Sequence, residues 1–181
     1  MVSDNVVAFQ RNGAKGEAIL APTDGSALSI AAALKAVELA RRLAVRLVVF
    51  TSIPAYQYPV YLGGIPFEYP SEADYETQCR AIADRYLGLV TDVASAQGVT
   101  AIGRIEFGSS PAQAIVETAK RENCSMILMG SHGRSGLSKV FLGSVALKTL
   151  TLAHIPVMVD HPSQEEIVHA EEMMHQAAIE P

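Results

Sequence analysis

The chain has 181 residues, with 14 Lys+Arg against 19 Asp+Glu for a formal net charge of −5, and 49% of its residues are hydrophobic and 18% charged. That length suits one domain with tails, since a domain holds roughly 100 to 200 residues, and the apolar fraction is enough for a full core, which excludes disorder throughout. The acidic balance argues against a phosphate-backbone partner, which needs a basic face, so nucleic acid is not expected.

Cys79 and Cys124 are too few for a disulfide framework, and neither has a second cysteine or histidine at zinc-ligand spacing. They are expected as buried or half-buried thiols of a reducing cytoplasm. Residues 1–17 are read as a flexible leader, with no basic start and apolar stretch of the signal-peptide kind. Leu47 to Phe67 is a run of 21 residues without charge, long enough for a membrane span. Pro54, Pro59, Pro66 and Gly63-Gly64 interrupt it, so a buried strand entering a loop is expected, and no membrane partner.

In chain order, Ile19-Leu20-Ala21-Pro22 reads as a strand that ends on the turn and cap residues Thr23-Asp24-Gly25-Ser26. Ala27 to about Ala44 reads as a helix with Ile30, Leu34 and Val37 inward and Lys35, Glu38 and Arg41 available for the other face. Val45 to Ile53, with the continuous run Leu47-Val48-Val49-Phe50, suits a strand covered on both faces. Residues 54–70 form an irregular stretch, and all six tyrosines fall between Tyr56 and Tyr86. This stretch is either a lid or interface, or a loop whose rings cover the adjacent core.

Ser71 to Gln97 reads as a second helix with Ile82, Leu89 and Val93 inward, and Gly98 as its C′ residue. Val99 to Phe107 is a third strand. Ser110-Pro111 opens a helix through Ala112, Ile115, Val116 and Ala119, and Met126 to Met129 is a fourth strand. A short helix from Val145 to Ala153 precedes a fifth strand at Ile155 to Val159. Ser163 to Ile179 is an amphipathic helix, with Ile167, Ala170, Met174 and Ala178 at helical spacing. It docks either on its own domain or on a partner subunit. Five strands with a helix in each gap indicate an α/β fold, an open parallel sheet with helices on both faces. Ligands of such sheets bind beyond the carboxyl ends of the strands where strand order reverses, which directs attention to the residues after the first and fourth strands.

The densest chemical signal is Gly130-Ser131-His132-Gly133-Arg134-Ser135-Gly136-Leu137, with Gly143-Ser144 following Gly133 after nine residues. Glycines let backbone amides approach an anion, and a helix N-terminus aims N–H groups at it. Arg134 and Lys139 would balance phosphate charge. The same glycines would also serve a tight strand-to-loop turn. Gly103 and Gly108 have the spacing of a P-loop, but Ser109 stands where lysine is required. Ser135 lies outside a G-x-S-x-G elbow, so a serine nucleophile is not expected. Asp24 either accepts hydrogen bonds from a ribose or base, or caps the first helix. His132 shapes the loop or transfers a proton. His169 and His175, six apart, do not share a helix face as metal ligands would.

Gly130-x-x-Gly133, nine residues, then Gly143-Ser144 resembles the nucleotide signature of the ATP-binding branch of the universal stress proteins. Ile19 to Ser26 and His154-Ile155-Pro156-Val157-Met158-Val159 resemble the family in order and spacing. The likeness runs over residues 18–160, with 161–181 as a terminal helix and tail. It implies a single flavodoxin-like domain of the adenine nucleotide alpha hydrolase-like kind, a homodimer through the fifth strand near Val157 and Val159, and a cytoplasmic stress-response role. It also implies binding of ATP or a related adenine nucleotide with Mg²⁺ or Mn²⁺. By position, Pro22, Thr23 and Asp24 would border adenine and ribose, Met129 and Gly130 the ribose, and Gly133, Arg134, Gly143, Ser144 and Val145 the phosphates. Ser52 stands where the family has an aliphatic residue, often valine, packing on adenine. The functions weighed are a nucleotide-binding regulatory module, a slow ATPase, and a nucleotide-independent scaffold or chaperone dimer. Phosphoryl transfer needs an oriented water, and no residue is an evident general base for it.

Overall fold

The computed structural model describes residues 17–58, 70–133 and 142–179. The elements in order are β1 (Ala18–Pro22), α1 (Ala27–Leu43), β2 (Arg46–Ile53), α2 (Glu72–Ala96), β3 (Ala101–Phe107), α3 (Pro111–Arg121), β4 (Cys124–Gly130), α4 (Ser144–Leu152), β5 (Val157–Asp160) and α5 (Gln164–Ile179). All strand pairs are parallel, and the sheet order is β3-β2-β1-β4-β5. The expected open five-stranded sheet is thus present, within residue-level shifts at element ends.

The strand pleat divides the core. Successive side chains point to opposite faces, so Ile19 and Ala21 of β1, Leu47 and Val49 of β2, and Leu128 of β4 pack against α1, α2 and α5. Ala18 and Leu20, Val48 and Phe50, and Ile127 and Met129 pack against α3 and α4 on the other face. Central β1 is buried at all five residues. α1 buries Ala31, Ala32, Ala33, Ala36 and Ala40 besides Ile30 and Val37, because the sheet, α2 and α5 all press on it and only small side chains allow that approach.

Local chemistry ends the elements. Ser71 and Asp74 form a reciprocal capping box at the start of α2, and Ser163 and Glu166 repeat it at α5. Gly98 follows α2 with φ of +75°, the left-handed conformation that glycine adopts freely. α1 stops a residue earlier than the sequence suggests, at Leu43, because Ala44 is left-handed. Pro111 takes the first position of α3, while Ser110 makes no side-chain capping bond.

Two expectations for the helices are revised or resolved. Of the three residues of α2 expected inward, Leu89 is buried and Val93 packs half-buried on the core, but Ile82 is 57% exposed, and the helix also buries a stripe of Ala83, Leu87, Val90 and Ala94. That stripe is one residue, about 100°, round the helix from Ile82. α5 docks on its own chain: Ala170 is fully buried, and Met173 and Met174 pack on the core over α1 and α2. Ala178, by contrast, is exposed. Cys124 is buried and Cys79 half-buried, both as free thiols. Burial pushes the Cys124 thiol up to about 11, only partly offset by Arg46. Among the described residues, no helix is long and apolar enough to cross a membrane.

Candidate functional site

The chain runs outward from β1 through β2 to β3, then returns across β1 to place β4 on its other side, so strand order reverses between β1 and β4. A cleft of about 330 Å³ opens at that point, beyond the carboxyl ends of both strands. Ten of the eleven residues singled out from sequence line it: Pro22, Thr23 and Asp24 after β1, Ser52 on β2, Met129, Gly130 and Gly133 at β4, and Gly143, Ser144 and Val145 at α4. Arg134 lies outside the described residues, as do Lys139 and the middle of the tyrosine-rich stretch. Phe50, Pro111 and Ile115 also line the cleft, and sequence reasoning did not place them there. The pleat offered a signal for Phe50, which shares the face of Ser52, whereas Pro111 and Ile115 arrive only when α3 folds across the sheet.

The cleft combines two kinds of lining. Pro22, Phe50, Pro111, Ile115 and Met129 supply its apolar lining, with Phe50, Ile115 and Met129 belonging to one cluster of the core. Its polar lining includes Asp24, the Gly130–Gly133 backbone and the start of α4. Gly143 is the N-cap of α4 and offers no side-chain capping bond, and no acidic residue stands in the first turn. The first N–H groups of a helix have no intrahelical partner and carry partial positive charge, so this terminus suits an anion.

Of the two roles weighed for Asp24, the hydrogen bonds it makes are those of the helix start. Its Oδ1 accepts the Ser26 N–H at 3.0 Å, the Ser26 hydroxyl at 2.7 Å and the Ser29 hydroxyl at 2.7 Å. That fastens the carboxylate to the start of α1, while Oδ2 faces Gly133, where an added Cβ would lie 2.3 Å from it. Thr23 and Ser29 lock the same turn, with their hydroxyls 2.7 Å apart and the Thr23 N–H donating to the Phe50 carbonyl at 2.8 Å. Gly25 adopts φ of +78°, and a Cβ there would meet the Tyr86 ring at 2.8 Å. Tyr86 is in turn held by a hydrogen bond with Thr51 at 2.8 Å. Gly143 is just as confined: a Cβ would lie 2.9 Å from the Ser131 carbonyl oxygen. His132 shapes the loop through Nδ1, 3.1 Å from the Ser131 hydroxyl. Among the described residues, no three His, Cys, Asp or Glu side chains are gathered to hold a metal ion.

The sequence profile of the Universal stress protein family matches residues 17–161. This chain belongs to that family. A universal stress protein of Methanocaldococcus jannaschii is 31% identical over 153 residues, covering 82% of this chain and 84% of that protein. Among solved structures, MJ0577, a protein of the same organism, superposes with a TM-score of 0.66 at 24% identity over 82% of this chain and 97% of its own. A universal stress protein in complex with cAMP gives 0.58 at 22% identity, covering 82% and 98%. One from Archaeoglobus fulgidus in complex with dAMP gives 0.54 at 20% identity, covering 80% and 96%. These likenesses carry the fold, and the family membership rests on the sequence.

Proposed function

We propose that this universal stress protein binds ATP or a related adenine nucleotide in the cleft between β1 and β4 and acts as a cytoplasmic, stress-responsive regulatory module. The observation that carries the reading is the convergence, at one sheet edge, of an apolar lining and an anion-receptive end: the Gly130–Gly133 backbone faces the uncapped start of α4, with Asp24 fixed against Gly133. Base and ribose lie along Pro22, Phe50, Ser52 and Met129, with Asp24 accepting from the ribose. The phosphates lie toward Gly133, Gly143, Ser144 and Val145, and Arg134 adds charge there. A Mg²⁺ or Mn²⁺ ion accompanies the triphosphate. Relatives of the same fold crystallised with cAMP and dAMP support the nucleotide class.

A homodimer through β5 accompanies this reading. The two sheet edges differ: β3 carries Arg104 and Glu106, ion-paired to Glu122 and Arg121, and such charges discourage strand addition. β5 carries Val157, Met158 and Val159, with Met158 51% exposed, and Leu147 of α4 is 58% exposed.

Calorimetric titration with ATP and Mg²⁺, beside a Gly133→Asp variant and a count of phosphate released, tests the function. Saturable binding that the variant loses, with negligible phosphate release, is expected. Steady release would convert the module into a slow ATPase, and absence of binding to any adenine nucleotide would leave the scaffold dimer as the better description.

A further inference from the structure

Ser131, fully buried, follows β4 directly and joins three parts of the chain. Its N–H donates to the Asp160 carbonyl at 2.8 Å, and its carbonyl accepts the Gly143 N–H at 2.8 Å. Its hydroxyl lies 2.7 Å from His161 Nδ1 and 3.1 Å from His132 Nδ1. A hydroxyl has one proton, so between two neutral ring nitrogens it donates to one and accepts from the other. The two imidazoles must then hold complementary tautomers, and each constrains the other through Ser131.

Asp160 and His161 form the junction between β5 and α5. The Asp160 carboxylate accepts Lys35 Nζ at 3.0 Å, and the same ammonium reaches Glu166 on α5 at 3.1 Å, which ties the junction to α1. Beyond it, α5 is seated by Ala170, Met173 and Met174. A continuous set of bonds therefore runs from α5 through His161 and Ser131 to Gly143, the residue that sets the direction of the first α4 amides.

We infer that Ser131 and His161 are positioning residues for the anion end of the cleft, and that through them the docking of α5 and the occupancy of the cleft are linked. The linkage rests on the reading of the cleft as a nucleotide site, whereas the positioning role does not. Linkage is reciprocal: a ligand that orders Gly143 steadies the root of α5, and loosening that root weakens the ligand.

His161 is exposed, so His161→Ala leaves the core intact, and His161→Asn retains a polar group able to reach the Ser131 hydroxyl. Amide hydrogen exchange on the ligand-free full chain reads the positioning role. His161→Ala and Ser131→Ala are expected to speed exchange at Gly143, whose N–H is held by the Ser131 carbonyl, about five-fold or more, the factor that one ordinary hydrogen bond commands, and His161→Asn to restore it. Calorimetry with ATP and Mg²⁺ should show binding weakened about five-fold in His161→Ala. Saturating ATP should slow exchange along α5 in the wild type but not in that variant.

Unchanged exchange at Gly143 in His161→Ala overturns the positioning role. ATP that binds without altering α5 exchange overturns the linkage. A wild-type chain that takes no ATP ends the nucleotide reading and the linkage together, and the ligand-free exchange then decides the positioning role alone. A general loss of stability, with exchange raised everywhere alike, also counts against it.

Discussion

Gly133 and Gly143 confine the cleft in different ways, and substitution separates them. An added Cβ at Gly143 would meet backbone, the Ser131 carbonyl, which cannot rotate aside. Gly143→Ala should therefore cost about 1–3 kcal/mol of stability in a denaturant titration, the range for forced overpacking. At Gly133 the obstacle is the Asp24 carboxylate, which moves only by releasing the Ser26 and Ser29 donors. Gly133→Ala should lose about 1 kcal/mol of α1 capping, with a larger loss of nucleotide binding measured by calorimetry. The thiols offer a simpler check on burial. Cys124 is enclosed and its thiol is held near 11, so a disulfide-exchange reagent at pH 8 should modify half-buried Cys79 first and Cys124 only on unfolding.

The helices show where reading along the chain succeeds and where it slips. The caps of α2 and α5 follow from neighbouring residues alone, because a serine hydroxyl and a carboxylate three positions on find each other without tertiary help. The buried face of α2 does not. Its apolar residues are spread round the helix, and the face is chosen by where β2, β3 and α1 lie, so Ala83 and Leu87 go in and Ile82 stays out. Ile82→Ser should accordingly change stability by less than about 0.5 kcal/mol. Ala170→Leu, at the fully buried contact of α5, should cost about 1–3 kcal/mol. Paired denaturation curves check both, and equal costs would contradict the assigned packing.

Ion pairs tie distant parts of the molecule and set its response to acid. The Arg104 hydrogen bond, opposed by some burial and aided by Arg46, holds the Glu122 carboxyl below its ordinary 4.5. The Ser163 backbone N–H, with Lys35 adding to it, does the same for Glu166. A carboxyl whose folded pKa is depressed contributes stability that is complete above the unfolded value and is lost as pH falls through the folded one. Melting temperatures should thus decline below about pH 4.5, and Glu122→Gln should flatten part of that decline. For Lys35, burial pulls the ammonium pKa down, but the hydrogen bonds to Asp160 and Glu166 outweigh it and leave it above 10.5. Its contribution is therefore intact at neutral pH and lost only in strong alkali. For the proposed dimer, Met158→Lys places a charge on the apolar edge, and sedimentation should show the wild type as a dimer and the variant as a monomer.

Element order, strand boundaries to within a residue or two, and the glycine pattern are all legible along the chain, because periodicity, caps and turn residues are local properties. Ten of the cleft residues are legible too, since they stand at or near the end of a strand or the start of a helix, whereas Phe50 and Ile115, inside β2 and α3, are not. Nor are the partners of the ten. Asp24 meets Gly133 only because the sheet order sets β1 beside β4, and α5 lies over α1 because Ala170 and two methionines find a seat there. Ser131 looks like one more residue of a glycine-rich loop until β5 brings His161 to its hydroxyl. Local sequence reports which face of an element is apolar or polar, whereas the choice of what meets that face is made by non-local packing, which periodicity does not encode.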